Sequence, residues 1–383
     1  MAAPWVALAA MTATAWHFRQ ASLQTGPQAA PKAEPSPEPA AFDLAEPHRG
    51  RLATTPWEIP AAGWKDIAWR TWTEVLRDRL TSVAGGVTFY ALLAIFPAIG
   101  VFVSLYGVFA DVHVVQRQLA QFAAVIPHQV LDIVSDQMVR LAARKQASAM
   151  AFLVSLLLSV WSANAGMKAL FDGLNAAYGE VEKRNFLSLS ALTYAFTLGA
   201  LVFLTLVTAI LVALPLVLKS TGVRELSEVW IALRWAALFL VAATAFTAVY
   251  RYGPCRAHPR WRWVGPGGTF AAVLWLAGSL IYSFYLNRFA HYDAAYGSLG
   301  AVIGFMTWIW VSVLVVLVGA EVSAQLEHQT AMDTTTGPPA PMGHRGAVMA
   351  DTVGPAFRVS GPLDDAATAV DAGFNALLKR LRG

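Results

Sequence analysis

Long apolar runs separated by short polar segments dominate the pattern of this chain. A helix needs roughly 20 mostly apolar residues to cross the hydrocarbon layer of a bilayer, which is about 30 Å thick. Six runs reach this length, at approximately 84–110, 147–169, 189–218, 229–252, 264–289 and 298–326. Isolated strands are excluded, because every backbone N–H and C=O group in lipid must be paired within its own segment. The pattern therefore predicts an all-α, polytopic membrane protein with six transmembrane helices.

Amphipathic patterns outside these runs predict further helices. Residues 64–80 place apolar side chains at helical spacing beside basic residues, which fits an interfacial helix before the first span or a short helix docked on the bundle. Residues 111–146 carry another apolar stripe and predict amphipathic external helices between spans 1 and 2. Residues 363–383 repeat this pattern and predict an amphipathic C-terminal helix.

Composition divides the chain into four parts. Residues 1–63 are rich in proline and alanine and predict a disordered N-terminal extension, because they cannot bury enough apolar area to offset the entropy of ordering. The membrane domain occupies 64–329, a disordered linker is predicted for 330–362, and the C-terminal helix follows. Residues 1–18 are expected to be a non-structural or interfacial leader, with a signal peptide or anchor as the alternative.

The net charge of +4 is modest, but its distribution predicts an orientation. The loop 251–262, the residues before the first run, and residues 183–184 are basic and lie on one side if the spans alternate. Under the positive-inside rule, both termini are then cytoplasmic, although 111–146 also carries some basic residues. The single cysteine, Cys255, excludes an intramolecular disulfide within the sequence given.

Polar residues within or beside the apolar runs are the candidate functional residues. Asn164, Lys168, Asp172 and Asn175 are spaced to share one helix face. Glu321 lies in or at the edge of the last run, where a carboxylate is costly. It is either a functional residue within the membrane, with Lys168 or Arg184 as possible partners, or an interfacial residue that reaches headgroup water. The group forms either a polar pathway through the bundle or a hydrogen-bonded seam between helices.

Two further stretches complete the candidate set. Pro97 is expected to kink the first span, either as part of a broken helix beside a cavity or through simple packing. The polar residues at 282–296 fit either a cavity mouth on the external side or an aromatic belt. The full set for a polar pathway or helix-packing seam is Pro97, Asn164, Lys168, Asp172, Asn175, Arg184, Arg288, Asp293, Tyr296 and Glu321.

Catalytic templates are missing from the sequence. It contains no nucleophile elbow, phosphate loop, HExxH motif or CxxC pair, so no catalytic residue and no cofactor is predicted. His291 and Asp293 lack further ligands at a spacing that suits a metal. The basic loop 251–262 contains interleaved tryptophans, but a juxtamembrane loop explains it better than a nucleic-acid partner does.

Three blocks carry a family resemblance: GGVTFYALLAIFPAI, FDGLNAAYGEVEKRNF and YGSLGAVIGFMTWIWVSVLVVLVGAEVSAQLEHQ. In this order they resemble the YihY/BrkB family of bacterial inner-membrane proteins, over roughly residues 65–330. The resemblance implies six helices in the inner membrane and both termini in the cytoplasm. It also implies that the old ribonuclease BN label of the family is mistaken, and it supplies no established catalytic set.

Three hypotheses of function follow. The leading one is a transporter of a lipid or amphiphilic envelope component, with membrane lipids as partners. The alternative is a structural or scaffolding membrane protein that binds envelope proteins without transporting a solute. An enzyme is the third, but a nuclease would need a carboxylate metal cluster and a single-strand groove, which the sequence does not indicate. The sequence specifies no substrate, coupling ion or oligomeric state.

Overall fold

A computed structural model describes residues 39–109, 149–208, 227–288 and 299–357 of the chain. Helices make up the regular structure of these ranges, and one isolated β-bridge joins Pro259 to Thr335. In chain order the elements are α1 (Pro39–Ala45), a 3-10 helix (Pro56–Glu58), α2 (Ala61–Arg77), α3 (Leu80–Phe109), α4 (Ala149–Ala177), α5 (Phe186–Thr208), α6 (Ser227–Tyr252), α7 (Trp261–Arg288), α8 (Leu299–Glu327) and α9 (Val348–Asp351).

Four helices of the described part are long and apolar enough to cross a membrane. Their qualifying segments are Phe186–Phe203 in α5, Leu233–Tyr252 in α6, Trp261–Leu286 in α7 and Val302–Glu327 in α8. Helices α3 and α4 coincide with the first two predicted runs, and Leu80–Ile95 is a shorter apolar stretch. The all-α prediction is confirmed for the described residues, whereas the count of six spans stays a prediction.

Large apolar side chains cover the outside of these helices. Leu157, Leu198, Leu240 and Ile281 are each more than 60% exposed, with values from 64 to 68%. Soluble proteins rarely leave apolar surface of this extent in contact with water, and acyl chains are the solvent that suits it. The exposed apolar surface of α4, α5, α6 and α7 is therefore the surface of a membrane protein.

Helix α8 lies at the centre of the bundle and contacts α2, α3, α4, α6 and α7. Its close approach to α7 depends on small residues. A Cβ atom on Gly319 would lie 2.6 Å from Ala271 Cβ, and one on Gly267 would lie 2.7 Å from the carbonyl oxygen of Gly319. Without side chains at these two positions, the backbones pack directly against each other, as is typical of helices in membranes.

The end of the bundle is covered by an end cap, which consists of residues 46–60 and 328–357. The predictions of a disordered extension over 1–63 and a disordered linker over 330–362 are wrong for these residues. Arg51 is buried and donates hydrogen bonds to the carbonyl oxygens of Gln329 and Gly354, at 3.1 and 2.9 Å. Thr330 Oγ1 donates to the Ala53 carbonyl at 2.7 Å. Charged and backbone hydrogen bonds order this segment, although its composition offers little apolar area.

Helix α2 docks on the bundle through one face. Asp66, Ile67, Arg70 and Thr71 are buried on this face, which packs against the end of α8. The structure therefore shows the docked helix, which was the alternative prediction. The remaining surface of α2 exposes tryptophans and a leucine, namely Trp64, Trp69, Trp72 and Leu76. Contact of this surface with the membrane interface stays a prediction.

The other predicted elements fall outside the described residues. These are the external helices between spans 1 and 2, most of the N-terminal extension including 1–18, and the C-terminal helix at 363–383.

Candidate functional site

A polar cavity of about 370 Å³ lies between α2, the end of α4, the end of α8 and the end cap. Its volume falls within the range of small-molecule sites, which is roughly 300–1,000 Å³. The charged and titratable side chains on its wall are Arg70, Glu74, Arg77, Asp78, Glu321 and His328. We call it the Glu321 cavity.

Glu321 is fully buried within the apolar span of α8. Gln325 lies one helical turn further on the same face, and its Nε2 donates to Glu321 Oε1 at 2.9 Å. The second carboxylate oxygen, Oε2, is buried and has no hydrogen-bond partner among the described residues. Such an atom normally receives a hydrogen bond, so Glu321, which lines the cavity, has an unsatisfied acceptor here.

Arg70 lines the same cavity and is held by several hydrogen bonds. Its Nε donates to Gln325 Oε1 at 2.7 Å, its Nη2 to Gln329 Oε1 at 2.6 Å, and its Nη1 to the Pro355 carbonyl at 2.9 Å. Burial, together with the charge of Arg51, lowers the pKa of Arg70 to about 10. Arg70 remains protonated at neutral pH, and Gln325 links it to Glu321.

His328 adds a second open acceptor to the cavity wall. The hydroxyl of Thr352 donates to the Val348 carbonyl at 2.7 Å, and it also lies 3.1 Å from His328 Nε2. The hydroxyl has a single hydrogen, and with that hydrogen on the Val348 carbonyl we assign the ring proton to Nε2, which then donates to Thr352. Nδ1 then carries the lone pair, and it is buried without a partner in the described part of the chain. Burial, with the charges of Arg70 and Arg51, lowers the pKa of His328 to about 4, so the ring is neutral at pH 7.

The rim of the cavity carries two more carboxylates. Glu74 pairs with the exposed Arg77 at 3.3 Å. Partial burial raises the pKa of Asp78, and the neighbouring charge of Glu74 raises it further. Both carboxylates act electrostatically on Glu321, whereas the exposed Arg77 guanidinium leaves donors free for a ligand.

A second cavity, of about 190 Å³, lies among α4, α5, α6, α7 and α8. Its aromatic wall is built by Phe203, Phe246, Trp275 and Trp308, and the Phe246 and Trp275 rings meet edge to face at 6.2 Å. Trp275 Nε1 donates to Ser312 Oγ at 3.1 Å, which satisfies the one polar group of the indole. We call this apolar space the aromatic cleft.

The predicted polar face of α4 is distributed over separate contacts. Lys168 Nζ donates to Ser190 Oγ at 3.1 Å and lies over the Phe186 ring, whereas Asp172 is exposed. Asn164 is buried, and its Oδ1 has no partner among the described residues. None of the three lies on the wall of the Glu321 cavity.

Asn175 and Arg184 join two loops. Asn175 Oδ1 accepts from the backbone N–H of Cys255 at 2.7 Å, and its Nδ2 donates to Glu182 at 3.1 Å. Arg184 donates to the carbonyl oxygens of Gly253 and Pro254, at 3.0 and 2.6 Å. These contacts tie the end of α4 and the loop after it to the loop between α6 and α7, and the choice between a polar pathway and a seam between helices stays a prediction. The hydrogen bond to Glu321 comes from Gln325, whereas Lys168 and Arg184, its possible partners by sequence, bond to other groups.

The remaining candidates have less definite positions. Pro97 lies within α3 and Arg288 ends α7, but the structure does not describe their side chains. Asp293 and Tyr296 lie outside the described residues. Within the described ranges, no group of three or more His, Cys, Asp or Glu side chains is placed to hold a metal ion.

Sequence reasoning missed most of the Glu321 cavity. The spacing of Glu321, Gln325 and His328 by four and three residues places them on one face of α8, and this signal was readable. The contributions of Arg70 and Asp78 come from a helix more than 240 residues earlier, and only the tertiary structure reveals them.

Known proteins resemble this chain over most of its length. The sequence model of the family described as virulence factor BrkB matches residues 71–343. The Bacillus subtilis protein named "Putative ribonuclease-like protein YfkH" is 36% identical over 177 residues, which cover 45% of this chain and 64% of that protein. "UPF0761 membrane protein Nmul_A0452" of Nitrosospira multiformis is 26% identical over 256 residues, which cover 64% of this chain and 57% of that protein.

A third relative is covered almost completely. "UPF0761 membrane protein NTHI0384" of Haemophilus influenzae is 25% identical over 271 residues, which cover 67% of this chain and 93% of that protein. By contrast, the chain spans only 64 and 57% of the first two relatives. No solved structure matches.

Proposed function

Because the chain belongs to the virulence factor BrkB family and is a membrane protein like its UPF0761 relatives, we propose that it transports a lipid or another amphiphilic envelope component. The observation that carries this proposal is the Glu321 cavity. It places a fully buried carboxylate with an open acceptor within an apolar span. A carboxylate there is costly, and such residues commonly mark a substrate or ion pathway.

The two cavities together suit the two parts of an amphiphile. The Glu321 cavity has charged groups on an otherwise largely apolar wall and the volume of a headgroup site, whereas the aromatic cleft offers apolar surface at the depth of the spans. Binding energy would come from burying apolar chain surface, and orientation from a few placed polar groups. The proposal does not require the two spaces to be continuous in this state.

Translocation in liposomes tests the proposal. The purified protein is reconstituted with lipids that carry a fluorescent headgroup label, and label in the inner leaflet is measured after the outer leaflet is quenched. We expect Glu321→Ala to lower the translocation rate by at least tenfold. The control, Glu58→Ala, removes an exposed carboxylate that bonds to Thr54 and Thr55 outside the cavity. Equal rates for wild type and Glu321→Ala would remove the proposed site.

A structural role is the second candidate, and the end cap supports it. Buried Arg51, Arg70 and Arg256 hold the end of the bundle through many hydrogen bonds, which suits a rigid platform for envelope partner proteins. Under this alternative, Asn175 and Arg184 serve packing only. Recovery of a stoichiometric partner after crosslinking in cells, with no lipid movement in liposomes, would support it over transport.

We also propose six spans in the bacterial inner membrane, with both termini in the cytoplasm. Three basic segments support this orientation, because contacts bring them to one end of the bundle: Arg51 reaches Gly354, Arg184 reaches Pro254, and Arg256 reaches Glu327. A C-terminal fusion to alkaline phosphatase should be inactive, and a fusion to green fluorescent protein should fluoresce. The opposite pair of results would reverse the orientation.

A further inference from the structure

We propose that the Glu321 cavity binds a zwitterionic headgroup that carries a primary ammonium group, as an aminophospholipid does. This inference rests on the proposed function in one respect: the lipid whose headgroup binds in the cavity is taken to be the transported lipid. It goes further by naming the chemistry that the cavity recognises.

The first argument is the excess of acceptors on the wall. Glu321 Oε2 and His328 Nδ1 are both buried, and neither has a partner among the described residues. An unpaired buried acceptor is unfavourable by roughly 1–3 kcal/mol, so a ligand with N–H donors is favoured over one with acceptors alone. The two atoms belong to residues seven apart on α8, or about 10 Å along the axis, so one ammonium contacts only one of them.

The second argument is the charge around Glu321. The carboxylates of Glu321, Glu74 and Asp78 share the cavity, and the Arg70 guanidinium is already committed to Gln325, Gln329 and the end cap. A positive charge next to Glu321 would offset both the burial of this group and the nearby charges of Glu74 and Asp78, and so favour its ionised form. An ammonium supplies this charge together with three N–H donors, so it satisfies the open oxygen at the same time.

The third argument concerns the anionic part of the headgroup. Arg77 lies on the rim of the same cavity, with 76% of its side chain exposed and a weak pair to Glu74. An exposed guanidinium exchanges such a partner at little loss of free energy, and its planar fork matches a phosphate. The ammonium then lies toward Glu321, and the phosphate lies toward Arg77 and the outside of the cavity.

Binding of short-chain lipids to the full-length protein in a neutral detergent tests the inference by calorimetry. Dihexanoyl phosphatidylethanolamine has the ammonium, whereas dihexanoyl phosphatidylcholine keeps the charge but has no N–H donor. Dihexanoyl phosphatidylglycerol has no positive charge. We expect the ethanolamine lipid to bind at least tenfold more tightly than either of the others. Equal binding of the ethanolamine and choline lipids would overturn the inference.

Variants locate the preference. Glu321→Gln keeps the shape and removes the charge, and we expect it to reduce the tenfold preference to less than threefold. Glu58→Gln, outside the cavity, should retain it. If Glu321→Gln does not fold, Asp78→Asn at the half-buried rim takes its place, and an unchanged preference in that variant counts against the site. The same titration is made with free ethanolamine. If it binds as tightly as the ethanolamine lipid, the site is one for a free amine instead of a lipid headgroup.

The outcome is separable from that of the transport proposal. If the protein prefers the ethanolamine lipid but moves no lipid, the proposed binding site is supported and the proposed transport is rejected. If the protein moves lipid but shows no such preference, transport is supported and the ammonium site is rejected.

Discussion

Substitution of Arg256 by methionine tests how firmly the loop before α7 is tied to the end of α8. Arg256 and Glu327 form a two-pronged ion pair at 2.6 and 3.2 Å, and neither side chain is exposed. Thr334 Oγ1 donates to the same carboxylate at 2.9 Å. Burial alone would lower the pKa of Arg256, but the paired Glu327 carboxylate raises it above its ordinary value. The pair is therefore a close and favourable contact between the loop before α7 and the end of α8.

The magnitude follows from burial. Arg256→Met leaves the Glu327 carboxylate buried with Thr334 as its remaining donor, and breaking a buried pair in this way costs about 3–5 kcal/mol. At about 2–4 °C per kcal/mol, the melting temperature should fall by about 6–20 °C. The control is Arg77→Met, which breaks an exposed pair worth at most about 1 kcal/mol.

The assay is thermal unfolding of the purified protein in detergent, followed by fluorescence-detected size exclusion. The double variant Arg256→Met with Glu327→Met should regain most of the lost stability, because it removes the unpaired charge as well. If Arg256→Met melts within about 2 °C of the wild type, the claim that this pair fastens the loop before α7 to the end of α8 is refuted.

Three further predictions concern other parts of the molecule. His328 has a folded-state pKa of about 4 against 6.5 for the free side chain, so stability should fall as pH drops below 6.5, by about 3 kcal/mol at pH 4, and His328→Gln should flatten this slope in pH-dependent unfolding. Gly319→Leu should prevent close packing of α7 and α8, because its Cβ would already lie 2.6 Å from Ala271, and the folded yield should drop sharply, with Gly199→Leu at an open position as the control. Asn175→Ala should lower stability by about 1–3 kcal/mol, as the Cys255 N–H loses its acceptor, and should speed maleimide labelling of that cysteine. Unchanged labelling in the folded variant would show that the two loops do not depend on Asn175.

The apolar spans could be predicted from the sequence because the signal is local. Each helix pairs its own backbone, so hydropathy over about 20 residues is sufficient. The structure bears this out for α5, α6, α7 and α8. Glu321 was a candidate for the same reason, because a lone carboxylate stands out in an apolar run. The structure adds that it is fully buried.

The end cap could not be predicted, because its order depends on pairs that are remote in sequence. Arg51 is satisfied by carbonyl groups of Gln329 and Gly354, and Asp66 accepts from the Phe357 N–H at 2.8 Å. Composition indicates only how much apolar area a segment can bury. Proline-rich segments can bury little, so composition alone predicts that they are disordered. The partner of Glu321 was not predicted for a related reason. Lys168 and Arg184 were candidates because they lie toward the same side of the membrane as Glu321. The side-chain amide of Gln325, one helical turn from Glu321, donates the hydrogen bond instead.

The end cap also fixes an order of events during synthesis. Arg51 leaves the ribosome early, yet the two carbonyl groups that accept its hydrogen bonds belong to residues 278 and 303 positions later. Until α8 and the segment after it have been made and inserted, Glu46 is available to this arginine, but the two carbonyl groups are not. The cap must therefore close after the last span is in place, and nascent chains that stop before Gly354 should be recognised by quality-control proteases as unfinished.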